Sequence, residues 1–535
     1  MAPVAASGRE EHAARGSANP EDDSEVEKLE KTVDRLKEKL IAQQIVLDLY
    51  YNTSSSSTLH GAEPRDPHHQ PYSRVRQDLR LNEAIVISGS AGPANCNPFC
   101  ATGGKSSCRP KCVFMQKITS PGNWIDACIF NGHEKGSVPS DVRQQGCIPV
   151  AEGMESETNY PTLVKNRLNP ETWMRSYRLD EEVPATYFNP PEVILVRPGP
   201  ELEKRQLSAS VIVSNCRPSH RNAMIETLRK YIPIAYYGRC GSSPWPSNCG
   251  PQQNQRCSKF DVMQKHVIYL AFENSVTRDY VTEKLYDGIS AGCVTVAYGA
   301  PNALDLAPKG SIINIANAGD GDRVGKMLKS MLEEPGLAAA KKQAAWFHDE
   351  SWRGDWEQRM GFTRLHSDCR LCDMLRRRAV IATGADVRRF EDLKATVGTL
   401  HKIERRRKII VFDMGMTPWQ LDQVRSWEDT ALVRLTEYSF PGSIPWTRRT
   451  AALLWAVHAA GTALWLDPGV RIQRRIANID AVLEREGVFV LEEAGALGDY
   501  AHNATVEWLG MAAASKGRIP LLSYSVVGFR EGTGQ

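Results

Sequence analysis

No run of about 18 or more apolar residues occurs in this sequence of 535 residues, which excludes a bilayer-spanning α-helix within it. The opening stretch MAPVAASGREEHAARG has no apolar h-region, so it does not read as an ordinary signal peptide. Charge of one sign is also lacking. With 66 Lys and Arg against 63 Asp and Glu, the net charge is +3, too weak a field to make nucleic acid a bulk partner. Metal-ligand spacing is scarce too: the three histidines of HGAEPRDPHH have no cysteine beside them and read as solvated linker. What is present, 41% hydrophobic and 24% charged residues, is the composition of a soluble globular chain. Its length suits roughly two to four domains, each able to bury a core.

Cysteine, in contrast, is plentiful. Of 13 cysteines, Cys96, Cys100, Cys108 and Cys112 lie in CNPFCATGGKSSCRPKC, and Cys369 and Cys372 form CRLC. The spacing fits zinc modules poorly, so disulfides in an oxidising lumen are the preferred reading over metal. An odd count leaves at least one thiol free, and Cys216 and Cys293, both on apolar runs, are the core candidates. The sequons at Asn52 and Asn503 agree with a lumenal location.

Five regions are expected. Residues 1–81 combine a polar, disordered start, a helix over 25–50 and a Ser/Pro-rich linker. In that helix Val26, Leu29, Val33, Leu36, Leu40 and Leu47 keep a heptad-like spacing, which fits a short self-associating coiled coil or a lone amphipathic helix. Residues 82–204 and 205–376 alternate short apolar runs with helix-period stretches. Strands are predicted at 84–89, 209–215, 233–238, 266–272, 292–299 and 311–316, with helices over 219–230, 279–291 and 321–334. That alternation predicts an α/β fold with parallel sheets, whose ligands sit beyond the carboxyl ends of the strands. Residues 377–406 read as a basic connector, and 407–535 as a further α/β module.

The stretch YLAFENSVTRDYVTEKLYDGISAGCVTVAYGAP, 269–301, places a cation oddly. Val281, Leu285 and Ile289 form one buried stripe, while Glu283 and Lys284 lie off it near the helix start. A cation there is disfavoured by about 0.3–1 kcal/mol unless an anion offsets it. A phosphate would receive the backbone N–H groups, the helix dipole and the lysine charge together. Arg221, at the helix start after SASVIVSN, repeats the arrangement. Two such cations fit a diphosphate; the alternative is a pair of solvated surface residues.

These residues resemble the donor-binding signature of the α-1,3-fucosyltransferases, glycosyltransferase family 10. The resemblance extends through VIVSNC, RNAMIETLRKYIPIAYYGRC, WMRSYRLDEEVPATYF and MESETNYP, and forward to CRLC, covering about residues 120–375. It implies a GT-B fold of two Rossmann-like halves, with the donor site at the cleft between them. GDP-fucose would be the donor, a glycan or glycoprotein the acceptor, and no cofactor would be required, a divalent metal being at most stimulatory. Position by position, it implies Arg221 and Lys284 as diphosphate ligands, Glu283 as the ribose ligand, and Asn274 and Tyr280 as donor-pocket neighbours. Glu155 in MESETNYP takes the place of the base. Two departures stand out: Glu157 follows the ES pair where the family usually has proline, and Arg221 comes one residue early, which keeps Glu157 and Arg217 open as alternates. Family members are usually anchored in the Golgi with the enzyme in the lumen, so membrane association here needs an anchor not visible in this sequence. The implied activity is inverting transfer of L-fucose to a hydroxyl, O3 of a GlcNAc-type residue. The rivals are a GT-B enzyme with another nucleotide-sugar donor and a degenerate scaffold or glycan-binding protein.

The last region predicts strands at 408–416, 430–438, 462–470 and 487–493 and a helix over 447–460. It weakly resembles nucleotide-sugar-transferase modules that end a strand on an acidic pair for a divalent metal. Only Asp467 of that pair is present, followed by Pro468, so an inactive or structural module, cut short at GFREGTGQ, is expected as readily as a second catalytic centre.

Overall fold

The structure, a computed structural model, describes residues 72–90, 92, 112–117, 124–187, 199–245, 259–333, 336–346, 356, 358–434, 445–496 and 520–530. The predicted helix over 25–50, both sequons and Cys96, Cys100 and Cys108 lie outside them. The chain divides into two compact units, Met1–Pro71 with Val490–Val527, and Tyr72–Phe489 with Gly528–Gln535. Everything below belongs to the second. Among the described residues no helix is long and apolar enough to cross a membrane.

Three sheets organise that unit, the first two parallel throughout. The first pairs its strands in the order Cys112–Met115, Ile85–Ser88, Ala127–Asn131, Ile148–Gly153, Trp173–Ser176 and Val183–Pro184. Its inner strands are apolar on both faces, as a sheet covered on both sides requires. The second runs Ile312–Ile315, Val294–Tyr298, His266–Phe272, Gln206–Ile212 and Ile234–Tyr237. His266–Phe272 is its centre, and all seven of its residues are buried. In both sheets the chain order reverses beside the first strand, which puts a crevice at the carboxyl ends there.

The helices of the second sheet, Ser219–Arg229, Glu283–Ser290 and Gly321–Leu332, fall near their predicted spans. One starts late. A helix over 279–291 is predicted, but Asp279 takes a left-handed φ of 63° and the Thr282 side chain caps the backbone N–H of Lys284. Residues 279–282 are therefore a loop, and Glu283 and Lys284 open the helix.

The third sheet corrects the reading of 377–406 as a connector. Val380–Ala385 is a strand with all six residues buried, and Phe390–Ile403 is a helix. The sheet runs Thr430–Arg434, Ile409–Asp413, Val380–Ala385 and Thr462–Leu466. VIATGA is a short apolar run whose basic flanks suggest solvation. Those flanks are instead fixed in ion pairs: Arg407, 1% exposed, lies 2.7 Å from both Glu404 and Asp480, and Arg378 lies 2.8 Å from Glu404.

Disulfides join Cys112 to Cys372, Cys128 to Cys147 and Cys216 to Cys240, and Cys369 is also bridged. Cys216 is thus half of a crosslink rather than a core thiol, while Cys293 is free and buried. Helix Ser367–Arg377 leaves the second sheet and packs Leu371, Cys372 and Leu375 against Ile87, Ile148 and Trp173 of the first. Chain from the far end of the second half therefore completes the first half's core.

Candidate active site

The reversal point of the second sheet lies between Gln206–Ile212 and His266–Phe272. The residues just beyond those strands are Glu273 and Asn274 on one side, and the loop leading to Arg221 on the other. Glu273 is 3% exposed and accepts hydrogen bonds from the Thr282 backbone N–H at 2.8 Å and the Thr282 hydroxyl at 2.9 Å. Burial pushes its carboxyl pKa up against the opposing pull of Lys284 and Thr282.

Lys284 is not a solvated surface residue. Its Nζ donates to Thr282 Oγ1 at 2.8 Å and lies 3.2 Å from Glu283 and 3.4 Å from Glu273. Burial opposes the ammonium, yet Glu273 and Glu283 hold its pKa above the ordinary value. The two carboxylates offset the unfavourable placement of a lysine at a helix start. Glu283 remains half exposed, with a side-chain exposure of 45%, and is the carboxylate of this group open to a ligand.

Arg221 is 1% exposed, whereas Arg217 is exposed. One Arg221 Nη donates to the Asn215 carbonyl, and its buried Nε has no hydrogen-bond partner among the described residues. Burial lowers its pKa, with Glu273 and Tyr280 acting to raise it. A buried guanidinium N–H without an acceptor is costly, and an anion in this crevice would supply one.

Glu155 comes from the first sheet, two residues past strand Ile148–Gly153. Its Oε2 accepts from the Tyr280 hydroxyl at 2.9 Å and from Asn274 Nδ2 at 3.5 Å, both from the second half. The Glu155 backbone N–H donates to His133 Nε2 at 3.0 Å, which fixes that ring nitrogen as the acceptor. Tyr280 is 1% exposed, and burial, then Tyr187 and Glu155, push its phenol pKa far up, so it stays a donor. Glu157 is committed elsewhere: it pairs with Arg167 and with Arg178 at 3.3 Å. The turn between the two glutamates is pinned across the halves by hydroxyls, Ser156 to Ser275 at 2.6 Å and Thr158 to Thr277 at 2.9 Å.

Glu155, Asn274 and Tyr280 are thus in direct contact, while Glu283 and Lys284 meet each other around Glu273. Arg221 interacts electrostatically with Glu273 and Tyr280. Glu273, His133 and the hydroxyl pairs were not singled out in the sequence. Glu273 carries a readable signal, an acid immediately after a wholly apolar strand; the hydroxyls carry none. In the third sheet, Asp467 is held by Arg449 at 2.8 Å and by Trp465 Nε1 at 2.6 Å. Among the described residues no group of three His, Cys, Asp or Glu is placed to hold a metal ion. Two parallel Rossmann-like sheets thus present their strand ends to one crevice.

Comparison with known proteins finds relatives over part of the chain. A fucosyltransferase-like protein of Arabidopsis thaliana is 28% identical over 272 residues, 49% of this chain and 50% of that protein. Alpha-(1,3)-fucosyltransferase 7 of Mus musculus is 27% identical over 252 residues, 44% of this chain and 59% of its own length. GDP-fucose protein O-fucosyltransferase 3 of Xenopus laevis is 39% identical over 114 residues, 20% of this chain and 24% of that protein. The chain thus spans from about a quarter to about three fifths of the length of these curated relatives. A crystal structure of alpha1,3-fucosyltransferase with GDP-fucose aligns over 54% of this chain and 85% of its own, at 16% identity and a TM-score of 0.33. The family model for the glycosyltransferase family 10 (fucosyltransferase) C-terminal domain matches residues 202–393, the segment that contains the second sheet and its crevice.

Proposed function

We propose that the chain is an inverting fucosyltransferase that moves L-fucose from GDP-fucose to a glycan hydroxyl, O3 of a GlcNAc-type residue. The observation that carries the reading is Glu155 of one half seated against Tyr280 and Asn274 of the other, beside two cations at the reversal point of the second sheet.

In this reading Glu155 removes the proton from the acceptor hydroxyl as that oxygen bonds to the fucose anomeric carbon. The bond from that carbon to the β-phosphate oxygen breaks, and its electron pair leaves with GDP. Arg221, Lys284 and the N-terminus of helix Glu283–Ser290 take up the charge that develops on the diphosphate. Glu283 is free to accept from the donor ribose. Tyr280 and Asn274 orient the base, and His133 holds its backbone. Approach of a diphosphate draws Lys284 partly away from Glu273, which Thr282 continues to satisfy. The three assigned disulfides support an oxidising compartment, in keeping with the lumen of the Golgi.

The test is GDP release by the full chain supplied with GDP-fucose and a panel of GlcNAc-terminated glycans. Acceptor-dependent release with GDP-fucose, and not with GDP-mannose, is expected. GDP binding without release from any acceptor would leave a donor-binding protein and overturn the transferase reading.

A further inference from the structure

A second basic cavity lies at the opposite edge of the first sheet from Glu155. Its walls come from the amino-terminal ends of strands, Ile85 and Ile148 in the first sheet and Val380 in the third, closed by the end of helix Ser367–Arg377. It is partly open to solvent and holds about 70 Å³, several times what one water needs. Five cations line it, Arg80, Arg376, Arg378, Arg406 and Lys408, against two carboxylates, Glu83 and Asp126.

Three of the cations crowd one indole. The guanidinium carbons of Arg80 and Arg406 lie 4.2 and 4.0 Å from the Trp124 ring centroid, and Lys408 Nζ lies 4.4 Å from it. Asp126 receives the Trp124 Nε1–H at 3.1 Å and the Val86 N–H at 2.8 Å, so it is occupied in holding this wall. Asp429 takes Lys408 at 2.6 Å and stands 3.8 Å from Arg406. Arg378 is held by Glu404 at 2.8 Å. Hydrogen bonding in this wall is nevertheless incomplete. The Nε atoms of Arg378 and Arg406 are buried and have no hydrogen-bond partner among the described residues, and these side chains are only 7% and 11% exposed. Burial pushes the Lys408 ammonium pKa down despite its aspartate.

We infer that this cavity is a binding site for a tetrahedral oxyanion, a phosphate or sulfate group, separate from the donor crevice. Planar guanidinium groups with an Nε–H still to be satisfied suit such an anion, and a cavity of about 70 Å³ takes a group of that size. The indole is already covered by side-chain cations, so the ligand binds through charge and not by stacking on Trp124. The group is either a free ion or an ester carried on a glycan.

Titration calorimetry on the full chain, saturated with GDP so that the donor crevice is filled, tests this. Sodium phosphate, sodium sulfate and a sulfated disaccharide are titrated at an ionic strength held constant with chloride. Saturable binding of phosphate or sulfate is expected, weakened tenfold or more in Arg406→Gln and in Arg80→Gln with GDP affinity unchanged. Arg80 bonds through its side chain to Glu83 and is partly exposed, so its variant keeps the test decisive should Arg406→Gln not fold. Tighter binding of the disaccharide than of sulfate assigns the ester-borne group; equal binding assigns the free ion. A response no different from chloride, or affinity unchanged in both variants, overturns the site.

Discussion

At the scale of single residues, the two glutamates of MESETNYP show how neighbours decide chemistry. Glu155 and Glu157 are two apart in sequence, yet Glu157 is clamped by Arg167 and Arg178 while Glu155 faces a phenol and an amide that leave it able to accept a proton. Glu155→Gln is expected to lower kcat by about 10²–10⁴-fold, the usual loss of a general base, with GDP affinity nearly unchanged. Steady-state kinetics and a GDP titration on the same preparation check both halves of that statement; undiminished turnover would move the base elsewhere. Glu273 acts differently, through Lys284 and Thr282. Under the proposed function it is a positioning residue for the donor and takes no part in proton transfer. Glu273→Gln keeps the acceptor for Thr282 but loses the charge that holds the ammonium. Its KM for GDP-fucose is expected to rise about tenfold, within the range for a charged hydrogen bond, while the pH profile of kcat keeps its shape. A shifted profile with unchanged KM would place Glu273 in proton transfer instead.

At the scale of elements, the sheets were readable wherever burial is written as composition. HVIYLAF is apolar at every position and becomes the central strand of its sheet. The donor-side helices follow a 3.6-residue stripe and were equally legible. VIATGA was lost inside arginines because long-range pairing, which composition does not encode, turns those arginines from solvated to buried. Glu404 is the hub of that pairing. Burial alone would push its pKa up, but Arg407 and Arg378 hold it down to about 2 from an ordinary 4.5. Since the folded value is the lower one, this carboxylate's stabilisation is complete above about pH 4.5 and fades as pH falls toward 2. Glu404→Gln is expected to cost about 3–5 kcal/mol near neutral pH, because it strands buried arginines. Urea unfolding at pH 7 and pH 3 checks the sign: the gap between wild type and variant should narrow in acid, and a constant gap would remove the charge from the explanation.

At the scale of the whole unit, the fold is less modular than the chain order suggests. The strand, loop and helix of 266–290 were legible because they are contiguous. The joining of the first and third sheets was not, since it depends on pairs hundreds of residues apart. Arg405 meets Glu171 at 2.8 Å, Arg475 pairs with Glu182, and Arg378 lies 5.4 Å from the centroid of the Trp173 ring. Cys112 and Cys372 tie helix Ser367–Arg377 to the first sheet, and that helix runs directly into the third. A chain ended after residue 376 would cut the helix at its last turn, strip the strand Val380–Ala385 and expose the Trp173 wall. Such a chain is expected to unfold at a melting temperature several degrees lower, even though it keeps the donor crevice and Glu155. The complete chain should melt the two regions together, in one transition by tryptophan fluorescence and calorimetry alike. Two separated transitions, the lower unaffected by GDP and the upper raised by it, would show instead that the third sheet folds independently of the first two.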